Sequence, residues 1–487
     1  MTETPPSVVW LTLESVRYDA TSLSGYHRDT TPNLRRIANA PDGVSFEKGF
    51  AQSLWTPACT ASILTGTYPV VHRVGMDGLA KEPLPESVRT LPELLSAAGY
   101  RTTAISPNAY ISGATGLDRG FERFEWFDYR KLFERDSLGP WLKYFANIRS
   151  YGPPAIHRRY YEEGNRFYQA LQRVLFYGVS TFTLADVFEG WLTELAAGDD
   201  PFFSYIHLPN PHHPYNPPRK FIDRFTDDIE YSTAEALRLS YDLFGSSAQM
   251  KRRIATGNGT PLDDAEREAL RALYDAELLY VDETVGRLFD HVRALDEDVI
   301  VVVTGDHGDL FGEQGVIGHN LVLHDGLTNV PLVVSGLPGI ERARDGFAQH
   351  IDVTRTLADH LGVSDPQFQG TNLTERSLDH AISQRGIAHF DNYLEHNYRF
   401  DVSPYHREPI TALRTDHFKY VVSDEREELY VFPVEGEDVS DQFPAVCERF
   451  RSHLVQRFAD VDADLPSAGR VELSPEMEEQ LQRLGYL

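Results

Sequence analysis

The sequence predicts an α/β protein whose largely parallel central sheet is covered by helices on both faces, with a small α+β subdomain at its C-terminal end. Two observations predict this architecture. Unbroken apolar runs of strand length alternate with amphipathic runs of helix length, which is typical of parallel sheets that are buried on both sides. After about residue 365 the pattern shortens to strand-like pieces. We therefore expect a larger domain over 1–365 and a subdomain over 366–487.

The first half of the chain supplies the first elements of this sheet. Ser7–Leu13 is a continuous apolar run that ends in polar residues from Glu14 onward, which predicts a strand with polar side chains at its carboxyl end. Thr90–Gly99 has the pattern of a helix closed by glycine, and Arg101–Ile105 is predicted as the strand after it. Because ligands bind at the carboxyl ends of strands in open α/β sheets, Glu14 is a candidate site residue.

The second half repeats this order. Pro201–His207 is predicted as a buried strand that runs into a loop rich in proline and histidine. Asp263–Leu295 is a long amphipathic helix, and Asp298–Thr304 is the apolar strand that follows it. Residues 110–200 are rich in aromatic residues and arginine, which predicts a helical insertion over one edge of the sheet. The C-terminal subdomain is predicted to contain the strands Tyr420–Val422 and Leu429–Phe432 and the helix Pro444–Phe458.

The chain is strongly acidic and poor in lysine. Its 487 residues include 73 Asp and Glu against 46 Lys and Arg, a net charge of −27, and only 7 of the basic residues are lysine. These features predict a halophilic protein, and they argue against nucleic-acid binding because such a surface would repel a phosphate backbone. An anionic substrate would therefore need a local positive charge, such as a metal ion.

The cysteine content and the N-terminal segment exclude further classes of protein. Only Cys59 and Cys447 are present, which excludes a disulfide framework and a Cys-rich metal site. The start, Met1–Ser7, has no basic region, and the first apolar run, Val8–Leu13, is far too short for a signal peptide or a membrane span. We expect a cytoplasmic protein without a membrane span, and the sequence leaves its oligomeric state open.

The motif that follows the strand Asp298–Thr304 carries the strongest chemical signal. Asp306 and His307 project side by side from the strand end between glycines. Such a pair of carboxylate and imidazole suits a divalent metal ion. Twelve residues after His307, His319 lies in a glycine-bounded loop that could bring a second imidazole to the same edge.

Three other segments offer reactive groups at the same predicted edge. Glu14 follows the first strand, and His212 lies in the proline-stiffened loop after Pro201–His207. Thr56 precedes a proline at a predicted helix N-terminus, where backbone N–H groups and the helix dipole favour an anion. A carboxylate, a hydroxyl nucleophile, an Asp-His pair and further histidines together suit metal-assisted displacement at phosphorus or sulfur.

These residues resemble the alkaline-phosphatase superfamily, specifically its sulfatase-like branch. The similarity covers most of the chain outside about 110–200, and it implies an alkaline-phosphatase-like fold and a hydrolase of anionic esters. The segments that carry it are Leu11–Asp19, Thr30–Leu34, Thr56–Pro69, Thr90–Tyr100, the loop of His212, Asp306–Gly308 with His319, Val330–Leu332, Thr411–Asp416 and Glu428–Tyr430.

The sequence departs from the sulfatase pattern at positions that matter for sulfate chemistry. Counting ten residues back from Gly66 places Thr56 where sulfatases carry the Cys or Ser that is oxidised to formylglycine. Threonine cannot give that aldehyde, and Cys59 lies three positions too late to replace it, so we interpret it as a small buried residue. Thr60 stands where sulfatases have arginine, and Asn108 lies in the segment that carries their lysine.

The resemblance therefore points to superfamily members with a threonine nucleophile, such as nucleotide pyrophosphatase-type phosphodiesterases and lipoteichoic-acid-synthase-type phosphoglycerol transferases. It implies that Thr56 attacks the ester and that His212 or His319 stabilises the developing charge and protonates the leaving alkoxide. It implies no organic cofactor and one divalent ion (Mn, Zn, Mg or Ca), with a second ion left open. The implied ligands of the first ion are Glu14, Thr56, Asp306 and His307.

The favoured substrate is a phosphodiester or phosphomonoester of a small molecule, a glycan or a lipid. Two alternatives remain open: a sulfuric ester hydrolase that works without formylglycine, and a non-catalytic protein that binds its ligand through the metal. Arg17 and Asp19 are predicted to form a structural salt bridge, with phosphate contact by Arg17 as the alternative. His213 and His324 are predicted to be loop histidines with satisfied hydrogen bonds.

Overall fold

The computed structural model describes residues 5–127, 180–227, 229–295, 298–433, 435–459, 461 and 470–483. The strands of these residues are β1 (Ser7–Leu13), β2 (Gly43–Ser45), β3 (Lys48–Phe50), β4 (Arg101–Ser106), β5 (Arg123–Trp126), β6 (Phe202–Leu208), β7 (Val299–Gly305), β8 (Leu310–Phe311), β9 (Ile317–Gly318), β10 (Leu332–Ser335), β11 (Phe347–Gln349), β12 (His380–Arg385), β13 (Ile410–Thr415), β14 (Phe418–Val422) and β15 (Glu427–Val431).

The helices of the same residues vary from one turn to 30 residues in length. They are α1 (Pro32–Ala38), α2 (Thr56–Thr65), α3 (Pro69–His72), α4 (Leu91–Ala97), α5 (Ser180–Ala196), α6 (Arg219–Ile222), α7 (Thr233–Phe244), α8 (Ser247–Thr256), α9 (Asp264–Arg293), α10 (Asp325–Thr328), α11 (His350–His360), α12 (Asp391–His396), α13 (Pro444–Arg457) and α14 (Pro475–Arg483). Within the described ranges no helix combines the length and apolar character needed to cross a bilayer.

The central sheet of the described residues has seven strands in the order β2-β10-β7-β1-β6-β4-β5. The five strands from β7 to β5 run parallel to one another, and β10 is antiparallel to both of its neighbours. Side chains that alternate along β1 enter two different cores: Val9 and Leu11 pack with α5, α7 and α9, whereas Val8 and Trp10 pack with α2, α4 and α11. The predicted fold class, an α/β fold with helices on both faces of a largely parallel sheet, is confirmed.

The register of the three central strands positions the polar residues that follow them. Thr12 on β1 pairs with His207 on β6 and with Thr304 on β7. Because the three strands are parallel and end at nearly the same level, Glu14 and Asp306 leave the sheet at one edge, beside His207. This edge is where an open α/β sheet binds its ligands.

The C-terminal part forms a separate antiparallel sheet in the order β12-β13-β14-β15. Helix α13 covers it, with Cys447, Phe450 and Leu454 packed against Tyr420 and Leu429. This arrangement matches the predicted α+β composition of the subdomain. The domain boundary at 365/366 itself stays a prediction.

The predicted helical insertion over 110–200 is only partly described. Residues 128–179 lie outside the described residues. The segment before them differs from the prediction, because Arg123–Trp126 pairs with β4 as the edge strand of the sheet instead of starting a helix. The segment after them is the helix Ser180–Ala196, whose Phe182 and Phe188 are buried against the sheet.

Candidate active site

Glu14 is placed by a tight turn at the end of β1. Its backbone N–H donates to the carbonyl of Leu208 at 3.0 Å, and the following residue, Ser15, has a φ of 64°. Non-glycine residues seldom adopt this left-handed conformation, which costs about 1–3 kcal/mol and is often found at functional sites. The turn directs the N–H of Ser15 to Oδ1 of Asp306 at 2.9 Å, so it ties the end of β1 to the end of β7.

Thr56 begins helix α2, as the proline after it predicts. Trp55 is extended before the helix, and Pro57 occupies its first turn, where the missing N–H does no harm. The buried Thr56 hydroxyl donates to Oε1 of Glu14 at 3.0 Å, and its oxygen lies 3.3 Å from Nε2 of His307. The helix ends at Gly66, which has a φ of 63°.

Asp306 and His307 follow β7 with no intervening turn. Oδ1 of Asp306 accepts the N–H of Ser15 and of His307, at 2.9 and 2.8 Å. Its other oxygen, Oδ2, lies 3.5 Å from Nε2 of His307. Glycine is required at the next position, because a Cβ on Gly308 would lie 2.0 Å from the carbonyl oxygen of Gly326.

The four predicted metal ligands thus meet at one place, called the acidic corner below: Glu14, Thr56, Asp306 and His307. The donor set is one that a divalent cation accepts, with oxygen atoms and one imidazole nitrogen. Oδ2 of Asp306 is fully buried and finds no hydrogen-bond donor among the described residues. A buried carboxylate oxygen in this state is costly unless a cation takes it, so the residues fit a metal ion.

Two further residues contact Glu14, and sequence reasoning gave neither of them a role. Nδ2 of Asn108 donates to Oε1 of Glu14 at 3.0 Å, and Nε2 of His207 lies 3.2 Å from Oε2. Burial disfavours the imidazolium, but the hydrogen bond and charge of Glu14 outweigh it and raise the pKa of His207. His207 could have been found as a polar residue near the end of an apolar strand, the signal that identified Glu14.

His212 and His319 lie together with His213 in what we call the histidine cluster. The ring centroid of His212 is 4.4 Å from that of His213 and 5.0 Å from that of His319. His213 and His319 are also 5.0 Å apart. The cluster borders the acidic corner, because the centroids of His307 and His319 are separated by 4.6 Å.

The Nδ1 atoms of two cluster residues face oxygen acceptors. Nδ1 of His319 lies 3.3 Å from Oδ1 of Asp309, whose other oxygen accepts the hydroxyl of Tyr215. Nδ1 of His212 lies 2.5 Å from the carbonyl oxygen of His213. Asp309 lies two residues after His307 and Tyr215 three residues after His212, but only the fold places them behind His319.

Burial favours the neutral form of His213 and His319. It lowers the pKa of His319 to about 3, with a further contribution from His212. It also lowers the pKa of His213, to which the neighbouring histidines add. The pKa of the Asp309 carboxyl is raised to about 6 for the same reason, although the Tyr215 hydrogen bond opposes the shift.

The prediction that His213 is a satisfied loop histidine is wrong. Its side chain is buried, and neither ring nitrogen has a hydrogen-bond partner within the described part of the chain. The loop turns inward instead of following the surface, and it stacks His213 on Phe244 with centroids 4.5 Å apart. His324 agrees with its prediction, since its Nδ1 accepts the N–H of Gly326 as a helix cap.

One carboxylate on α9 holds both ends of the loop that carries His212 and His213. Oε2 of Glu277 accepts Nδ2 of Asn210 at 2.7 Å, and Oε1 accepts the backbone N–H of Asn216 at 2.8 Å. Burial raises the pKa of Glu277 to about 8. The loop is therefore fixed to the long helix, and the peptide bonds before Pro211 and Pro214 are both cis.

Arg17 and Asp19 form the predicted salt bridge. Nε and Nη2 of Arg17 donate to the two Asp19 oxygens at 2.8 and 2.7 Å. Nη1 donates to Oε1 of Glu313 at 2.7 Å and to the carbonyl of Asp309 at 2.9 Å. All of these contacts are to protein groups, and those to Asp309 and Glu313 hold the loop after β7 in place.

Cys59 is buried on α2, as the sequence predicts. Burial raises the pKa of its thiol, and the charge of Asp306 adds to this effect. A thiol in this state stays protonated and is a poor nucleophile. It does not compete with Thr56 for the reacting position.

Comparison with known proteins gives a family match over most of the chain. The family model described as Sulfatase matches residues 6–363. Choline-sulfatase of Rhizobium meliloti (strain 1021) is 28% identical over 350 residues, which cover 68% of this chain and 63% of that protein. The low-salt glycan biosynthesis sulfotransferase Agl7 of Haloferax volcanii is 26% identical over 372 residues, which cover 75% of this chain and 63% of Agl7.

A solved structure extends the comparison to the whole fold. The phosphonate monoester hydrolase of Agrobacterium radiobacter superposes with a TM-score of 0.67 at 21% identity, covering 96% of this chain and all of that one. At this identity the likeness concerns the fold. The chain spans slightly less than two thirds of the length of choline-sulfatase and of Agl7.

Proposed function

The chain belongs to the sulfatase family of the alkaline-phosphatase superfamily, and we propose that it is a metal-dependent enzyme that hydrolyses or transfers phosphoesters through Thr56. One observation carries the proposal. The Thr56 hydroxyl lies within hydrogen-bond reach of both Glu14 and His307, at 3.0 and 3.3 Å. An aligned hydroxyl beside a buried carboxylate and an imidazole is the arrangement of an activated nucleophile.

A divalent cation fits the acidic corner through Glu14, Asp306 and His307, and it would supply Lewis-acid activation of the Thr56 hydroxyl and of the ester. The protein prepares this site before any ligand arrives. Asn108 and His207 orient Glu14, and two backbone N–H groups orient Asp306. Such outer contacts keep ligand side chains in place and strengthen metal binding.

The reaction we propose has two displacements. The Thr56 oxygen attacks phosphorus, the bond from phosphorus to the leaving oxygen breaks, and a phosphothreonine forms. Oε1 of Glu14 is the base that the Thr56 proton already faces. Water or an acceptor alcohol then attacks phosphorus and restores Thr56. The leaving oxygen takes up a proton, and we propose His212 as its donor, because burial keeps the neighbouring His319 neutral in the free protein.

The residues present support phosphorus over sulfur as the reacting centre. Threonine cannot form the aldehyde hydrate on which the sulfatase mechanism depends, and Cys59 is buried as a protonated thiol. Thr60 stands where sulfatases carry arginine, and Asn108 lies in the segment that carries their lysine. The side-chain amide of Asn108 donates to Glu14, so this residue orients a proposed metal ligand and does not supply a cation for a sulfate group.

Sulfate chemistry is the second candidate, and the named relatives favour it. The two relatives are a choline-sulfatase and a glycan sulfotransferase, which act on or transfer sulfate. An unmodified Thr56 could attack a sulfuryl group in the same in-line geometry. Because one of these relatives is a sulfotransferase, an acceptor alcohol could replace water in the second displacement.

An ester panel separates these functions. Purified enzyme is assayed in molar KCl, because the acidic, lysine-poor sequence predicts tolerance of high salt. Aryl phosphodiester, aryl phosphomonoester and aryl sulfate are compared with Mn²⁺, Zn²⁺, Mg²⁺ and Ca²⁺ in turn. We expect faster turnover of a phosphoester than of the sulfate, and a phosphorylated Thr56 peptide in mass spectra of acid-quenched reactions.

Matched variants test the nucleophile. Thr56→Ala should lose at least about 10³-fold in kcat/KM, because a missing nucleophile leaves only binding and electrostatic effects. Thr65→Ala on the same helix, whose hydroxyl bonds only to protein groups nearby, should keep its activity. A preference for aryl sulfate would overturn the choice of phosphorus. Ligand binding without any turnover would favour the non-catalytic alternative.

A further inference from the structure

Helix α9 places a carboxylate, Glu277, in the protein interior beside the loop that carries His212. Glu277 is 2% exposed and lies near the middle of this 30-residue helix. Burying a carboxylate is costly unless hydrogen bonds compensate for the lost water. The hydrogen bonds that oppose this cost come from Asn210 and Asn216, which flank the loop. The contacts that make this costly group tolerable are therefore contacts with the loop.

The backbone of the loop orients the imidazole of His212. Its Nδ1 lies 2.5 Å from the carbonyl oxygen of the next residue, His213, and its backbone N–H donates to the carbonyl of Pro209 at 3.2 Å. Because one ring nitrogen is directed at a backbone oxygen, the direction of the other follows from the path of the loop. Whatever fixes that path also fixes the position of the ring.

Glu277 fixes the path of the loop on both sides of His212. Its Oε2 accepts Nδ2 of Asn210 at 2.7 Å, and its Oε1 accepts the backbone N–H of Asn216 at 2.8 Å. His212 lies between these attachment points, two residues after the first and four before the second. Asn210 is also held from its other side, because the hydroxyl of Thr181 donates to its Oδ1.

We propose that Glu277 is a positioning residue for acid catalysis by His212, a role that rests on the proposed function. As the bond from phosphorus to the leaving oxygen breaks, its electron pair goes to that oxygen, which takes a proton from His212. In the second displacement, the attacking water or alcohol gives a proton back to His212. General acid catalysis contributes about 10²–10⁴-fold, and a displacement of roughly 1 Å can remove about 10²-fold.

The acidity of the leaving group separates this role from a purely structural one. The full chain is assayed with phosphoesters that share one phosphoryl group and differ in the leaving alcohol: nitrophenol, phenol and ethanol. Nitrophenol departs as a stable anion and needs no proton, whereas ethanol needs one. Glu277→Leu keeps a similar volume and removes both acceptors. We expect its kcat/KM to fall about 10²-fold for the ethyl ester but less than about threefold for the nitrophenyl ester.

The conservative variant Glu277→Gln should recover most of the activity on the ethyl ester. Its amide oxygen can accept the N–H of Asn216. If the Asn210 amide turns over, its oxygen accepts from the new glutamine, and its NH₂ group donates to the Thr181 hydroxyl, which also has lone pairs. Burial raises the pKa of Glu277 to about 8, so this position tolerates an uncharged side chain.

Asp282 provides the matched control. It lies on the same helix, is 1% exposed, and accepts the backbone N–H groups of Asn33 and Leu34 at 2.8 Å, away from the loop. Asp282→Leu should lower the thermal midpoint, as Glu277→Leu does, but should leave the ratio of ethyl to nitrophenyl activity unchanged. Hydrogen exchange in residues 209–217 should quicken in Glu277→Leu and stay as in wild type in Asp282→Leu, which tests the attachment without any ester.

Each outcome bears on one of the two proposals. If Glu277→Leu does not fold, Asn210→Ala removes one of the two attachments and is judged by the same criteria. An equal loss for both esters, or no loss, would overturn the positioning role even if the loop exchanges faster. A wild-type preference for sulfate esters would refute the proposed function instead, and ethyl and nitrophenyl sulfates would then give the same comparison for Glu277. A wild type without turnover of any ester would refute both.

Discussion

Replacing Arg17 with methionine tests whether this arginine holds the site together or touches the substrate. Its guanidinium is buried and contacts Asp19, Glu313 and the carbonyl of Asp309, all at 2.7–2.9 Å. Methionine keeps most of the aliphatic stem but removes the charge and every one of these bonds. If the role is structural, the loss should appear in the free energy of unfolding.

The expected loss in the free energy of unfolding can be worked out from Glu313, whose side chain is 22% exposed. Burial alone would raise its pKa, but the charge and hydrogen bond of Arg17 lower the pKa of Glu313 from 4.5 to about 2. At 1.36 kcal/mol per pKa unit, this shift corresponds to about 3 kcal/mol. Because the folded-state pKa is lowered, the stabilisation is complete above the unfolded pKa of 4.5 and is lost as the pH falls through about 2.

Urea unfolding between pH 7 and pH 2 measures this stabilisation. Arg17→Met should be less stable than wild type by about 3 kcal/mol at pH 7, and this difference should shrink as the pH falls to 2, because the other carboxyls titrate alike in both proteins. Arg271→Met is the matched control. Arg271 also pairs with Glu313, at 3.3 Å, but it is a third exposed, so its loss should cost under about 1 kcal/mol.

Two results would refute this reasoning. One is an Arg17→Met protein whose stability varies with pH as steeply as wild type. The other is an unchanged free energy of unfolding together with a large rise in KM for the phosphoester, which would show that Arg17 binds the substrate phosphate.

Three further predictions concern single residues around the acidic corner. Cys59→Ala should keep phosphoester turnover within about twofold of wild type, and native Cys59 should resist iodoacetamide until the protein is unfolded, since burial raises its pKa. Gly308→Ala should lower the thermal midpoint, since its Cβ would lie 2.0 Å from the Gly326 carbonyl oxygen and cost about 1–3 kcal/mol; an unchanged midpoint would contradict the close approach. Asn108→Ala should weaken metal binding about 10-fold or more in a titration, because Glu14 loses a partner at 3.0 Å; equal affinity would show that this bond does not orient Glu14.

The strands, the longer helices and the candidate site were predictable where a local pattern is strong. Ser7–Leu13 and Asp264–Arg293 differ from their predicted bounds by two residues at most, because apolar runs and helix caps are encoded in adjacent residues. The convergence of Glu14 and the Asp-His pair was predictable because polar side chains at parallel strand ends share one edge, whereas Thr56 starts a helix and was placed there by the family resemblance. Arg123–Trp126 was missed, because a short edge strand with four partly exposed side chains has no strong pattern.

The amino-acid sequence by itself determined the sheet, the family and the residue types that can hold a metal and attack an ester, since each of these is written in spacing along the chain. The tertiary structure alone decided which distant groups stand behind them. His207 reaches Glu14 through the register of two strands, and Asp309 reaches His319 through a loop that closes on itself. His213 faces two other imidazoles because Glu277, 64 residues away along the chain, holds its loop inward. Such contacts depend on packing between elements, which no local pattern of residues encodes.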